Sequence, residues 1–223
     1  MRRRPEPELM DAAEQARAYA EADFSDANEL FLDLLAAQGP GELIGARAVD
    51  LGCGPADIVI RFLRRYPQAT CDAVDGSRAM LDLARADLDA LPGIAHRARL
   101  IHDRLPSTAL EPSAYDLILS NSLLHHLHDP MGLWDTVQRL AKPGALVLIM
   151  DLMRPASAGW ARALVESYAA DAPAILKRDF ENSLHAAFEP AEITAQLQAA
   201  GLADRLEAYV VSDRHVAVWG RLT

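Results

Sequence analysis

The feature that most constrains this chain is a rhythm. From Ala46 onward, short apolar runs alternate with stretches of helical spacing: "ARAVDL" then 56–66, "TCDAVD" then 77–90, "RARLIHD", "YDLILS" then 130–141, and "GALVLIMDL". Few polar residues interrupt the runs, so both faces of each strand must be covered. A strand, helix, strand order then demands a parallel sheet between two helical layers. The chain closes with "ADRLEAYVV" and "RHVAVWGRL", separated by "SD". Strands joined that tightly pair as a hairpin, so the last strand runs antiparallel to its neighbours. The expected class is α/β, three layers, with a seven-stranded sheet.

Around this core the 223 residues divide into four parts. Residues 1–45 hold N-terminal helices: apolar groups recur at helical spacing over 8–37, with a break near Ser25 and Asp26, which start the second helix. Residues 46–152 form the core, 153–188 a helical cap inserted after strand five, and 189–223 a helix and the strand hairpin. "MRRRPEPELM" has the charge of a signal-peptide start without an apolar stretch behind it, and its first residues read as a disordered tail.

A formal charge of −10 opposes binding to a phosphate backbone, so nucleic acid is disfavoured and no nucleic-acid partner is expected. No apolar run reaches membrane-spanning length, so no membrane partner is expected either. The two cysteines, Cys53 and Cys71, make no disulfide framework, and a cytoplasmic setting is expected. Monomer and homodimer both remain open.

"VDLGCGPADI", residues 49–58, carries the chemistry. A strand leaving through Gly52 and Gly54 into a helix lays bare backbone and N–H groups against a ligand at the sheet's carboxyl edge. A dinucleotide site would want a third glycine for the pyrophosphate, yet Asp57 stands in that region, and a carboxylate welcomes a cation instead. Asp75 ends the second strand about 20 residues beyond the glycines, where an acid accepts ribose hydroxyls. Asp103 ends the third, placed for an adenine amino group. Ribose, adenine and a positive group without phosphates describe S-adenosylmethionine.

The pattern resembles the class I S-adenosylmethionine-dependent methyltransferases, whose fold is Rossmann-like, over residues 46–151 and more loosely to the C-terminus. The resemblance implies that Gly52, Cys53 and Gly54 underlie the methionine part, Asp50 supports the turn, and Asp75 with Gly76 and Met80 takes the ribose side. It puts Asp103, Arg104 and Leu105 at the adenine. Tyr19 from the N-terminal helices and Asn121 after strand four complete the cofactor set. "YDLILSNSLLHHLHDP" and "KPGALVLIMD" resemble the family's fourth and fifth strands with their loops.

Methyl transfer from a sulfonium needs an aligned acceptor and, for a hydroxyl, a route for a proton. His125 or His126 is the candidate base, with Asn121 and Tyr168 as further catalytic candidates. Arg154, Asn182 and His185 in the cap are candidates for holding a small-molecule acceptor. No metal is expected: on a helix, neighbouring histidines diverge, and only 125 and 128 share a face. The reading is small-molecule methyl transfer, with oxygen favoured over nitrogen. Its alternatives are a cyclase or lyase releasing methylthioadenosine, a cofactor-binding partner without turnover, and a dehydrogenase.

Overall fold

The computed structural model describes residues 1–6, 9–39 and 43–222. Its strands are β1 (Arg47–Leu51), β2 (Thr70–Asp75), β3 (Ala98–His102), β4 (Tyr115–Asn121), β5 (Ala141–Leu152), β6 (Leu206–Val210) and β7 (His215–Leu222). They form one sheet in the order β3-β2-β1-β4-β5-β7-β6. The pairs β1–β2, β2–β3, β1–β4 and β4–β5 are parallel, while β7 runs antiparallel to both β5 and β6. The chain therefore builds outward from β1 in one direction and restarts beside it with β4. That reversal opens a crevice at the carboxyl ends of β1 and β4, where ligands of open α/β sheets bind.

Side chains alternate between two cores with the period of a strand. Ala48, Leu117, Leu119, Leu146 and Leu148 face one apolar layer with Phe31, Phe62 and Leu63. Val49, Ile118, Val147 and Ile149 face the other, with Trp134, Leu133 and Leu197. The first layer is covered by α2 (Ser25–Ala37), α3 (Asp57–Arg65) and α4 (Arg78–Asp89), the second by α6 (Met131–Leu140) and α9 (Pro190–Ala199). The Trp134 indole donates to Gln196 Oε1 at 3.0 Å, so even the largest fully buried side chain keeps its polar atom satisfied. Truncating Trp134 or Phe62 to alanine would cost about 3–5 kcal/mol.

The remaining helices are α1 (Ala13–Glu21), the four-residue α5 (Pro92–Ala95), and the cap pair α7 (Ala158–Ala169) and α8 (Ala174–Ala186). The cap has its own small core of Ala161, Leu164, Val165, Leu184 and Ala187, and α1 packs against α8. Helices that precede and interrupt the sheet thus form one roof.

Two expectations need correction. The first six residues are not a loose tail. Arg3 donates to the carbonyls of Ala186 (2.6 Å), His125 and Leu127 (both 3.0 Å), its guanidinium lies 3.9 Å over the Phe188 ring, and Arg4 N–H donates to His185 O. Charge density hid this, because the fixing partners lie some 120 to 185 positions away. The segment after β4 is also no regular helix: Leu124–His126 is a single 3₁₀ turn.

Candidate active site

A cavity of about 980 Å³ lies at the carboxyl ends of β1, β2 and β4, roofed by α1 and the cap. Its first wall grows from the glycine turn. Gly52 takes φ +76°, which favours glycine, and a Cβ there would also press on the Leu123 side chain, with Cδ1 at 2.7 Å. Gly54 takes φ +52° and has open space where a Cβ would stand. The turn is pinned by Gly52 and Cys53 N–H groups donating to Val74 O at 2.8 and 2.9 Å.

Asp75, at the tip of β2, accepts from Gly54 N at 2.8 Å with one oxygen and from Ser77 N at 2.7 Å with the other. Each oxygen keeps a lone pair for a ligand hydroxyl. Asp50, at the end of β1, is 1% exposed, and its Oδ1 has no partner among the described residues. Burial first, and the nearby Asp75 charge second, push its carboxyl up to about 7. An unpartnered buried carboxylate is costly unless a cation or donor comes to it. Burial likewise raises Asp57 and Asp75. Among the described lining residues the only guanidinium groups are those of Arg104 and Arg214. This wall suits a cationic ligand with hydroxyls and repels a pyrophosphate.

Asp103 serves its own loop first. Its carboxylate accepts from Arg104 N and Ser107 Oγ at 2.9 and 2.7 Å and from Thr108 N and Ala109 N, and these bonds, led by that of Ser107, hold it below the ordinary range.

The opposite wall is centred on His125, which is 3% exposed. Asp151, near the end of β5, accepts from His125 Nδ1 at 2.5 Å and from the His125 backbone N–H at 2.8 Å. Burial opposes charge on both groups, yet their mutual attraction prevails: Asp151 is held below the usual carboxylate range and His125 above the usual imidazole range. Beyond the ring, Glu6 Oε1 stands 3.4 Å from His125 Nε2 and 3.4 Å from His126 Nδ1. His128, instead of joining them, contacts the Glu6 carbonyl through Nε2 at 2.8 Å.

Set against the sequence expectations, Tyr19, Asp50, Gly52, Cys53, Gly54, Asp75, Gly76, Met80, Asp103, Arg104, Leu105 and Asn121 all line this one cavity. So do His125, His126 and Tyr168. The Asn121 Oδ1 is buried without a partner among the described residues. Tyr168 is half exposed at the rim; its hydroxyl donates to Asp213 at 2.7 Å and its ring carries Arg214 at 3.3 Å, which latches the cap to the β6–β7 turn. The three acceptor candidates lie elsewhere. Arg154 is buried away from the cavity, where its guanidinium binds Glu189, Glu192 and the Ala187 carbonyl at the start of α9. Asn182 is exposed and His185 faces Glu181 at 4.0 Å; neither lines the cavity. Sequence reasoning missed Asp151, whose signal was an acid ending an apolar strand as Asp50 and Asp75 do, and Glu6, for which the sequence offers no signal.

Comparison with known proteins places these elements in a family. Residues 49–147 match a family model described as a methyltransferase domain. The malonyl-[acyl-carrier protein] O-methyltransferase of Halalkalibacterium halodurans is 32% identical over 103 residues, which are 45% of this chain and 36% of that protein. The ubiquinone biosynthesis O-methyltransferase of Xylella fastidiosa is 27% identical over 176 residues, 78% of this chain and 67% of that one. Among solved structures, a SAM-dependent methyltransferase from Aquifex aeolicus superposes with a TM-score of 0.67 at 16% identity, covering 93% of this chain and 98% of its own. The plantazolicin methyltransferase BamL gives 0.72 at 12%, covering 94% and 91%. At those identities the superpositions speak for the fold, and no helix among the described residues is long and apolar enough to cross a membrane. The matched domain runs from β1 into β5, through the glycine turn and the acids that follow it, so this stretch is similar to a methyltransferase domain and the chain around it has the fold of the class I S-adenosylmethionine-dependent methyltransferases.

Proposed function

We propose that the protein transfers a methyl group to an oxygen of a small, uncharged hydroxy compound. The observation that carries this reading is that an aspartate-held histidine, His125, stands in the wall of the same cavity as the unpartnered Asp50 and the amide-held Asp75. When bound, S-adenosylmethionine supplies a methyl group already activated by the sulfonium charge. The chain's task is then to bind, orient and keep water out.

In this reading Asp50 pairs with the positive part of the cofactor, and Asp75 accepts the ribose hydroxyls with its remaining lone pairs. Asp103 uses its remaining acceptor capacity for the adenine amino group, and Asn121 accepts from the methionine part. The acceptor hydroxyl meets the His125 and His126 pair, whose orientation Asp151 fixes. Several acids on this side, Asp129, Asp171 and Asp179 among them, line the cavity against the single Arg214, which favours a neutral acceptor over a polyanion. That the two relatives above are named O-methyltransferases supports oxygen. Both cysteines are buried free thiols, which suits a reducing cytoplasm.

The test is to incubate the full chain with S-adenosylmethionine and a panel of phenols and aliphatic alcohols, and to identify both products by mass spectrometry. Adenosylhomocysteine formed one for one with a methyl ether is the expected result. Methylthioadenosine as the nucleoside product would overturn it.

A further inference from the structure

The contact between Glu6 and the two histidines is hard to explain by hydrogen bonding alone. The Asp151 carboxylate accepts from Nδ1 of His125 at 2.5 Å, so Nε2 is the His125 nitrogen left to face the Glu6 carboxylate. One carboxylate oxygen equidistant from two imidazole nitrogens is an arrangement that a single cation can bridge. A proton on Nε2 would draw Glu6 to the roughly 2.7–2.9 Å of a charge-assisted bond. Glu6 Oε1 instead stands at 3.4 Å from His125 Nε2 and at the same 3.4 Å from His126 Nδ1. Two ligands on a tetrahedral zinc ion with bonds of about 2.0–2.1 Å are separated by roughly 3.3–3.4 Å.

We propose that Glu6, His125 and His126 form a binding site for a first-row divalent cation, Zn²⁺ by its donor set, which fastens the N-terminal segment to the wall of the acceptor chamber. The three donor atoms lie within 4.8 Å of one another. Two imidazoles and one carboxylate, with a fourth position left for water or substrate, are a zinc-type set. The supporting shell is already in place. Asp151 orients His125 as a carboxylate behind a metal-bound histidine does, and Ser183 Oγ donates to Glu6 Oε1 at 2.9 Å. The rings of His125 and His126, tilted 34° to one another with centroids 4.2 Å apart, turn their donor atoms toward one oxygen. The backbone on both sides is held independently of any ion, by Arg3 on the carbonyls of His125 and Leu127 and by His128 on the Glu6 carbonyl.

Binding of the ion is measured apart from the proposed reaction; in that reading an ion on Nε2 of His125, whose Nδ1 is held by Asp151, would meet the acceptor hydroxyl in place of the bare ring. The experiment titrates chelator-treated, desalted full-length protein with Zn²⁺ against a chromophoric chelator, and with Co²⁺ by absorption. One equivalent at micromolar or tighter affinity, with the visible bands of tetrahedral Co²⁺, is expected. Glu6→Gln, a near-isosteric change at a partly exposed residue, should weaken binding at least tenfold, and Asp151→Asn 10- to 100-fold. His96→Ala, at an exposed histidine on α5's C-cap, should leave it unchanged. Circular dichroism and S-adenosylmethionine binding report that each variant is folded. Substoichiometric binding, or affinity that Glu6→Gln does not alter, would overturn the site. Cofactor binding that persists in that event would leave the methyltransferase reading standing.

Discussion

In the proposed reading, the wall that meets the cofactor comes from successive strand ends and their turns within residues 50–105. The wall facing it draws on residues 3–6, 121–129, 151, 168–183 and 214–215. The first is local in sequence and its polar groups await a ligand: Asp50 has an unpartnered oxygen, and Asp75 is held by two backbone amides. The second is non-local and tied together by its own contacts, His125 to Asp151, Glu6 to Ser183, Tyr168 to Asp213. On that reading, binding the common cofactor would need little more than one stretch of chain, whereas selecting an acceptor would depend on every element that reaches the roof.

That division is open to attack from both sides. The largest expected effect is on the acceptor wall. His125→Ala should lower kcat by about 10²–10⁴ while changing the S-adenosylmethionine Kd less than about threefold. A parallel loss of cofactor affinity would merge the two walls into one. Next, Asp75→Ala should weaken S-adenosylmethionine by a few kcal/mol, about a hundredfold, measured by calorimetry.

The sequence makes the first wall legible for a physical reason. A strand that ends in glycines, followed by acids at the ends of the next two strands, is a local pattern, and a parallel sheet turns those positions into neighbours. The broken strand rhythm marked an insertion after β5, where α7 and α8 lie, but its inward residues were not legible. Arg154 was a candidate for holding the acceptor and is instead occupied by Glu189 and Glu192 of the α9 capping box. The histidines looked divergent because a helix was assumed; the 3₁₀ turn places the adjacent rings side by side. Glu6 lies 119 positions before its nearest imidazole, and nothing local to "MRRRPE" encodes that contact.

Acid and base should act on the two walls with opposite signs. Burial, with Arg214 adding, lowers His215 to about 4, below its ordinary value near 6.5. Its contribution to stability is therefore present above about 6.5 and lost as pH falls toward 4, up to about 3 kcal/mol. Thermal melts from pH 7 to 4 should show this slope, and His215→Gln should flatten it. Asp50, raised to about 7, works in reverse: without cofactor, stability falls as pH rises from about 4 to 7, because the fold disfavours the charge. The smallest effect follows from the same group. Since a cationic ligand needs the carboxylate, S-adenosylmethionine should bind about tenfold more tightly at pH 8 than at pH 6, and Asp50→Asn should remove that dependence while raising the apo melting temperature at pH 8.

The central claim is that one cavity holds the cofactor on the Asp50 and Asp75 wall and presents its reacting end to the His125 wall. A crystal structure with S-adenosylhomocysteine tests this most directly. The account predicts ribose hydroxyls within hydrogen-bonding distance of Asp75, the amino acid part toward Asp50 and Asn121, and the sulfur facing His125 across the chamber. A sulfur turned away from His125, or a nucleoside bound without contact to Asp75, would contradict it.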